Sequence, residues 1–247
     1  MTALAAEGVL LDIEGTTSSV SFVYDVMFPF ALRELDGYLE KSWHTPECRA
    51  ACEQIARDAG YESLAAYAAY NGEVGNEVAK RRAVCDEVVR LMDGDVKATG
   101  LKELQGLIWQ RGFQSGELLA QVYDDVPPAL LRWNGSGLDV RIYSSGSIQA
   151  QKLFFGHSEY GDLLRQFRGH YDTTTGPKRE AASYDAIAKD YQLPPGEIAF
   201  LSDVVAELDA ARAAGMQTVL VLRPGNKLIE PGHGHAVIAS FTQLEIV

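Results

Sequence analysis

Gly8-Val-Leu-Leu-Asp-Ile-Glu-Gly-Thr16 (GVLLDIEGT) is the stretch on which the fold turns. Val9 to Ile13 is a short apolar run, preceded by Gly8 and followed by Gly15. A strand buried on both faces of a parallel sheet reads this way, because neither of its sides meets water. Three similar runs come much later, at Val140 to Tyr143, Ile198 to Leu201 and Val219 to Leu222. Stretches rich in Ala, Leu and charge separate them and read as helices: Gln149 to Phe155, Arg179 to Tyr191 and Ala206 to Ala214. Strands alternating with helices imply right-handed crossovers and an α/β, doubly wound parallel sheet.

The pattern changes between Ser18 and Asp125, where almost nothing reads as a strand. Val26 to Glu40, Glu47 to Ala59, Leu64 to Tyr70, Glu77 to Leu91 and Leu101 to Val122 instead read as amphipathic helices. Breaks fall at Thr45-Pro46, Gly60, Asn71-Gly72 and Gly94. The expected organisation is a core of residues 1–17 and 126–247, interrupted by an all-helical domain over 18–125, with re-entry near Pro127-Pro128. An insertion straight after the first strand is expected over the carboxyl ends of the sheet, where open α/β proteins bind ligands, as a cap.

Four features lie at strand ends. In D-I-E-G-T, Asp12 and Glu14 are two apart in an extended segment and share a side. In Y-S-S-G-S, Ser144 and Ser145 sit where a strand passes into a helix start, a place suited to a phosphate oxygen. Lys178 follows Gly176-Pro177 in a loop ahead of a helix, and Asp203 lies just past the third run, with Glu207 one helical turn on. Each alone reads as a solvated turn or a helix cap. Together they converge on one pocket, and phosphoryl transfer needs that combination. Asp12 can attack phosphorus and become an aspartyl-phosphate. Mg²⁺ would bridge it to the phosphate, with Asp203 as a further ligand. Lys178 would hold nucleophile and phosphate, Ser144 or Ser145 would donate to another oxygen, and Glu14 would serve as acid and base.

These residues resemble the four motifs of the haloacid-dehalogenase superfamily, over the whole chain. L-L-D-I-E-G-T-T at Leu10 to Thr17, the run Ile142 to His157, V-L-R-P-G-N at Val221 to Asn226 and Leu104 to Phe113 are similar to the acireductone synthase (enolase-phosphatase) family of methionine salvage. Glu14 stands where most of the superfamily has Asp and fits that narrower family. The resemblance implies that a 2,3-diketo-5-methylthiopentyl 1-phosphate is enolised and then dephosphorylated to the acireductone. It also implies Asp12, Glu14 and Asp203 at one Mg²⁺ per subunit, and Ser144, Ser145 and Lys178 on the substrate. It does not choose between the serines or identify the enolisation base.

Charge and cysteines bound the rest. The 247 residues carry 34 acidic against 22 basic side chains, a formal charge of −12, which argues against nucleic acid and anionic membrane as partners. The partner expected is a small phosphate ester. Cys48, Cys52 and Cys85 read as reduced thiols, the first two packed on one helix face. Without a signal-peptide pattern or a long apolar run, the expected location is cytoplasmic; a monomer is the expected state. His233 and His235, in a Gly/Pro-rich loop, and Lys80-Arg81-Arg82 read as solvated; Trp109 and Phe113 read as core. A receiver module would gather similar residues on half this length without helices between them. A dehalogenase would need no metal pair, and a phosphatase for another ester would share every motif.

Overall fold

The computed structural model describes residues 1–72 and 76–247. Contacts divide it into two compact units, Met1–Tyr24 with Leu119–Val247, and Asp25–Leu118.

The first unit is built on eight strands, β1 (Thr2–Leu4), β2 (Gly8–Leu11), β3 (Asp139–Tyr143), β4 (Gly169–Tyr171), β5 (Ile198–Ser202), β6 (Gln217–Val221), β7 (Ala236–Ile238) and β8 (Leu244–Ile246). Six of them form a sheet in the order β4-β3-β2-β5-β6-β7, parallel throughout; β1 and β8 pair separately. The four runs read from sequence are the four inner strands. β4 and β7 are three-residue edges, too short for any periodicity to show. Val9, Leu10 and Leu11 are wholly buried, as a central strand covered on both faces must be. At the start of β2, a Cβ on Gly8 would press on the Tyr191 ring, whose hydroxyl donates to Val9 O at 2.9 Å. The chain leaves β2 for β3 on one side and later reaches β5 on the other. The topological switch, and with it the ligand crevice, therefore falls at the carboxyl end of β2, where Asp12 begins.

The second unit carries α1 (Phe28–Ser42), α2 (Pro46–Asp58), α3 (Leu64–Tyr70), α4 (Glu77–Asp93) and α5 (Thr99–Ser115). Thr45, Ser63 and Asn76 cap α2, α3 and α4, each accepting from the amide three residues on. Asp58 accepts from Gly100 N at 2.7 Å, which ties α5 to the end of α2, and Gly100 packs so closely on Ile55 that no side chain would fit. Cys48 and Cys52 are fully buried, as their spacing suggests. Phe113 is core; Trp109 is half-buried, stacked on Phe28 and donating to Met27 O at 2.8 Å. Lys80 is not simply solvated, since it pairs with Glu77 at 2.9 Å, and Arg81 lies over the Trp43 ring.

Two boundaries differ from those expected. The last helix was expected to run to Val122, but it ends at Ser115, because Gly116 turns left-handed at φ 77°. The segments 18–24 and 119–125, expected with the helices, belong to the first unit. Gln121 Oε1 accepts from Ser19 N at 2.9 Å and from Ser18 Oγ at 3.3 Å, and Tyr123 N donates to Thr17 O at 3.0 Å. Entry and exit of the insertion are thereby stitched together on the core. The other helices of the first unit are α6 (Val126–Gly135), α7 (Ile148–Gly156), α8 (Ala181–Tyr191) and α9 (Val205–Ala213).

Candidate active site

Asp12 stands one residue beyond β2, with its amide on Leu201 O of β5 at 3.0 Å. The turn after it is tight: the amides of Thr16, Thr17 and Ser18 all point at Ile13 O, and Gly15 adopts φ 69°. Glycine is required there because a Cβ would land on the Asp203 carboxylate. Asp12 is 5% exposed and its side chain is fully engaged. Oδ1 accepts from Ile13 N at 2.8 Å; Oδ2 meets Lys178 Nζ at 2.8 Å and Ser202 Oγ at 3.1 Å.

Lys178 also touches Glu207 Oε2, at 2.6 Å, so the ammonium sits between two carboxylates. Burial alone would pull the Lys178 ammonium below its usual range, but Asp12 and Glu207 more than offset this and hold it above. Its backbone is clamped by three side-chain donors in a row. Tyr143 OH donates to Gly176 O at 2.8 Å, Ser183 Oγ to Pro177 O at 2.8 Å and Tyr184 OH to Lys178 O at 2.7 Å. Glu207, one helical turn past Asp203, is the second partner of the lysine. Ser202 was missed as a site residue. Its oxygen lies between Asp12 and Glu207, at 3.2 Å from the latter, and its single proton can serve only one of them at a time.

Ser144 and Ser145 close the third side. The Ser144 oxygen is buried and accepts from Gly146 N at 3.3 Å, which shapes the turn. Ser145 is half-buried, and among the described residues its hydroxyl has no hydrogen-bond partner. This loop is held by residues the sequence reading passed over. Asp172 Oδ2 accepts from Ile148 N at 3.1 Å, and Gln151 Nε2 donates to Gly146 O and Tyr171 O, each at 2.8 Å. On the far side Arg223 is a hub, donating from Nε to Thr16 O at 3.0 Å and from Nη1 to Asp125 Oδ2 at 2.8 Å. Only the string V-L-R-P-G-N pointed to it.

Asp203 faces this cluster from the end of β5. Its carboxyl is pushed up to about 7, by burial first and then by Asp12, with Glu14 adding to the effect and Lys178 opposing it. Glu207 is likewise pushed to about 7, by burial and Asp12 against Lys178. One buried cation thus faces an excess of anions. A divalent cation would relieve that excess, and the donor set fits Mg²⁺, which takes one or two carboxylates and keeps several waters. Among the described residues no three His, Cys, Asp or Glu side chains close into a metal cage. The fit therefore rests on Asp12 and Asp203, with Glu14 alongside. His235 is no ligand and, against expectation, is not solvated. Its ring is buried between Thr218 Oγ1 at 2.7 Å and Asp209 Oδ1 at 3.1 Å, because the loop turns inward there to begin β7.

The raised Asp203 carboxyl predicts a pH dependence. An acid whose folded pKa is raised favours folding fully below its unfolded value near pH 4, and that contribution is lost as pH rises through about 7. Asn at 203 does not titrate. In EDTA, Asp203→Asn should melt above the unsubstituted protein at about pH 8, with a gap that shrinks towards about pH 4. Calorimetry across that range checks it, and a gap indifferent to pH would contradict it.

A family model described as haloacid dehalogenase-like hydrolase matches residues 6–215. The chain belongs to this hydrolase family. It is similar over nearly its whole length to Enolase-phosphatase E1 of Pseudomonas aeruginosa strain UCBPP-PA14, with 46% identity covering 98% of this chain and 100% of that protein. Enolase-phosphatase E1 of Aquifex aeolicus strain VF5 is 44% identical, covering 97% and 99%. Among solved structures, the UTR4 protein of Saccharomyces cerevisiae superposes with a TM-score of 0.75 at 31% identity, covering 95% of this chain and 98% of that one. CbbY of Rhodobacter sphaeroides, at 14% identity and a TM-score of 0.55, shares the fold. Phosphatases of the family generally use Mg²⁺. Among the described residues no helix is long and apolar enough to cross a membrane.

Proposed function

We propose that this hydrolase is an enolase-phosphatase, turning 2,3-diketo-5-methylthiopentyl 1-phosphate into its enol and then into the acireductone and phosphate. The observation that carries the phosphatase step is the Asp12 carboxylate at the switch point of the sheet, gripped by Lys178 and Ser202. Similarity along nearly the whole chain to proteins named for both activities supports the choice of substrate.

An Asp12 oxygen attacks phosphorus, the bond to the leaving oxygen breaks, and an aspartyl-phosphate forms. Lys178, held by Glu207 and by its clamped loop, keeps Asp12 oriented and offers its remaining proton to a phosphoryl oxygen. Ser145 donates to another oxygen, while Ser144 shapes the turn that presents it. Glu14 gives its proton to the leaving oxygen and then takes one from the water that releases phosphate. When bound, one Mg²⁺ held by Asp12 and Asp203, with Glu14 beside them, would neutralise the phosphoryl oxygens. The protein works as a cytoplasmic monomer on this small ester.

Ser145→Ala should lower kcat/KM by about tenfold, the worth of one hydrogen bond to a charged group, and Ser144→Ala should act mainly on stability. Steady-state kinetics paired with thermal melts separates the two. The reading itself is tested by following enol absorbance and phosphate release from the diketo-phosphate with Mg²⁺ and with EDTA. Both signals should appear together and vanish in EDTA. Phosphate released only from other esters would retain the phosphatase and overturn the substrate.

A further inference from the structure

Asn226, just past β6, is bound at one end only. Its Nδ2 donates to Gly15 O at 2.9 Å and to Val221 O at 3.2 Å. Carbonyls cannot donate, so the two contacts fix the amide with nitrogen towards them and leave no choice of flip. The opposite atom, Oδ1, is shut off from solvent and has no hydrogen-bond partner. It lies over the face of Gly15 that also carries the Asp203 carboxylate: a Cβ built on Gly15 would fall on Asp203 Oδ2 and 3.1 Å from Asn226 Oδ1. A donorless amide oxygen and the Asp203 carboxylate thus lie on the same face of the Gly15 turn. A buried oxygen left so is costly, and a donor from outside the chain would satisfy it.

We propose that Asn226 is a positioning residue for the divalent cation, its Oδ1 accepting a hydrogen bond from a water of the hydration shell of the ion at Asp203. This rests on the Mg²⁺ site proposed above. Mg²⁺ keeps most of its waters and holds them in strict directions, so a fixed acceptor beside the carboxylate selects the hydrated ion. Removing such an outer partner typically weakens metal affinity by about 10–100-fold. Asn226 would also link the ion to the Gly15 turn, since one amide group spans both.

The test is calorimetric Mg²⁺ titration of the substrate-free full chain, with Asn226→Ala, Asn226→Ser and Asp203→Ala beside the unsubstituted protein. A thermal melt in EDTA is recorded for each. Asp203→Ala should abolish binding, and both Asn226 variants should raise the Mg²⁺ Kd by about tenfold or more. Serine keeps a donor for Gly15 O, so Asn226→Ser serves if the alanine variant does not fold. If Asp203→Ala abolishes binding while Kd in the Asn226 variants stays within about twofold, Asn226 only clamps the Gly15 turn and the inference is overturned. If Asp203→Ala leaves Mg²⁺ binding unchanged, the metal site itself is misplaced, and the inference falls with it.

Discussion

Asp12→Asn should cut phosphate release by about 10³-fold or more while leaving the protein folded. An amide cannot attack phosphorus, so no aspartyl-phosphate can form. The replacement is nearly isosteric and its oxygen can still accept from Ile13 N, the bond that holds Oδ1 in place. It also removes one of the negative charges that burden Asp203 and Glu207, so the carboxyls of both should drop towards their ordinary range. Rapid acid quench with phosphorus-labelled substrate reads the outcome directly: label should appear on the unsubstituted protein and never on the variant. Turnover within about tenfold of the original would mean that Asp12 is not the nucleophile.

Lys178→Met should be the most damaging single change to the site, costing stability as well as turnover. The ammonium is buried and meets Asp12 at 2.8 Å and Glu207 at 2.6 Å. Without it two buried carboxylates are left facing each other, and removing one partner from a buried ion pair costs about 3–5 kcal/mol. The loss should depend on pH. Glu207 is raised by burial and by Asp12 against the opposing pull of Lys178, so without that cation its carboxyl rises further, and stability is retained below about pH 4 and falls as pH rises above it. Urea unfolding at several pH values would show this, and equal losses at low and high pH would point to lost packing instead. Lys178→Arg should not restore activity, because a planar fork cannot occupy the gap of a point charge between two carboxylates.

The same lysine shows how far sequence reasoning reaches. Lys178 could be singled out because Gly176-Pro177 marks a loop ahead of a helix, and phosphoryl transfer calls for a cation. Its partner Glu207 could be seen only as an acid one turn into a helix, since the 28 positions between them carry no mark of contact. The three donors that clamp its loop were equally invisible: Tyr143, Ser183 and Tyr184 read as ordinary strand and helix residues. Arg223 and Asn226 could be noticed only as part of a familiar string, because their partners Thr16 and Gly15 lie more than 200 positions away.

What the chain determines by itself is local. Four short, mostly apolar runs read as inner parallel strands, and the acids and hydroxyls that follow three of them read as lying at strand ends. The helical stretch between the first two runs follows from the change of period. Tertiary structure decided which strand is central, where the three-residue edges pair, where entry and exit of the insertion are stitched, and which oxygens are left without donors. The reason is physical: periodicity records how one segment meets water, whereas a salt bridge, a shared proton or an orphaned acceptor depends on two segments that meet only after folding.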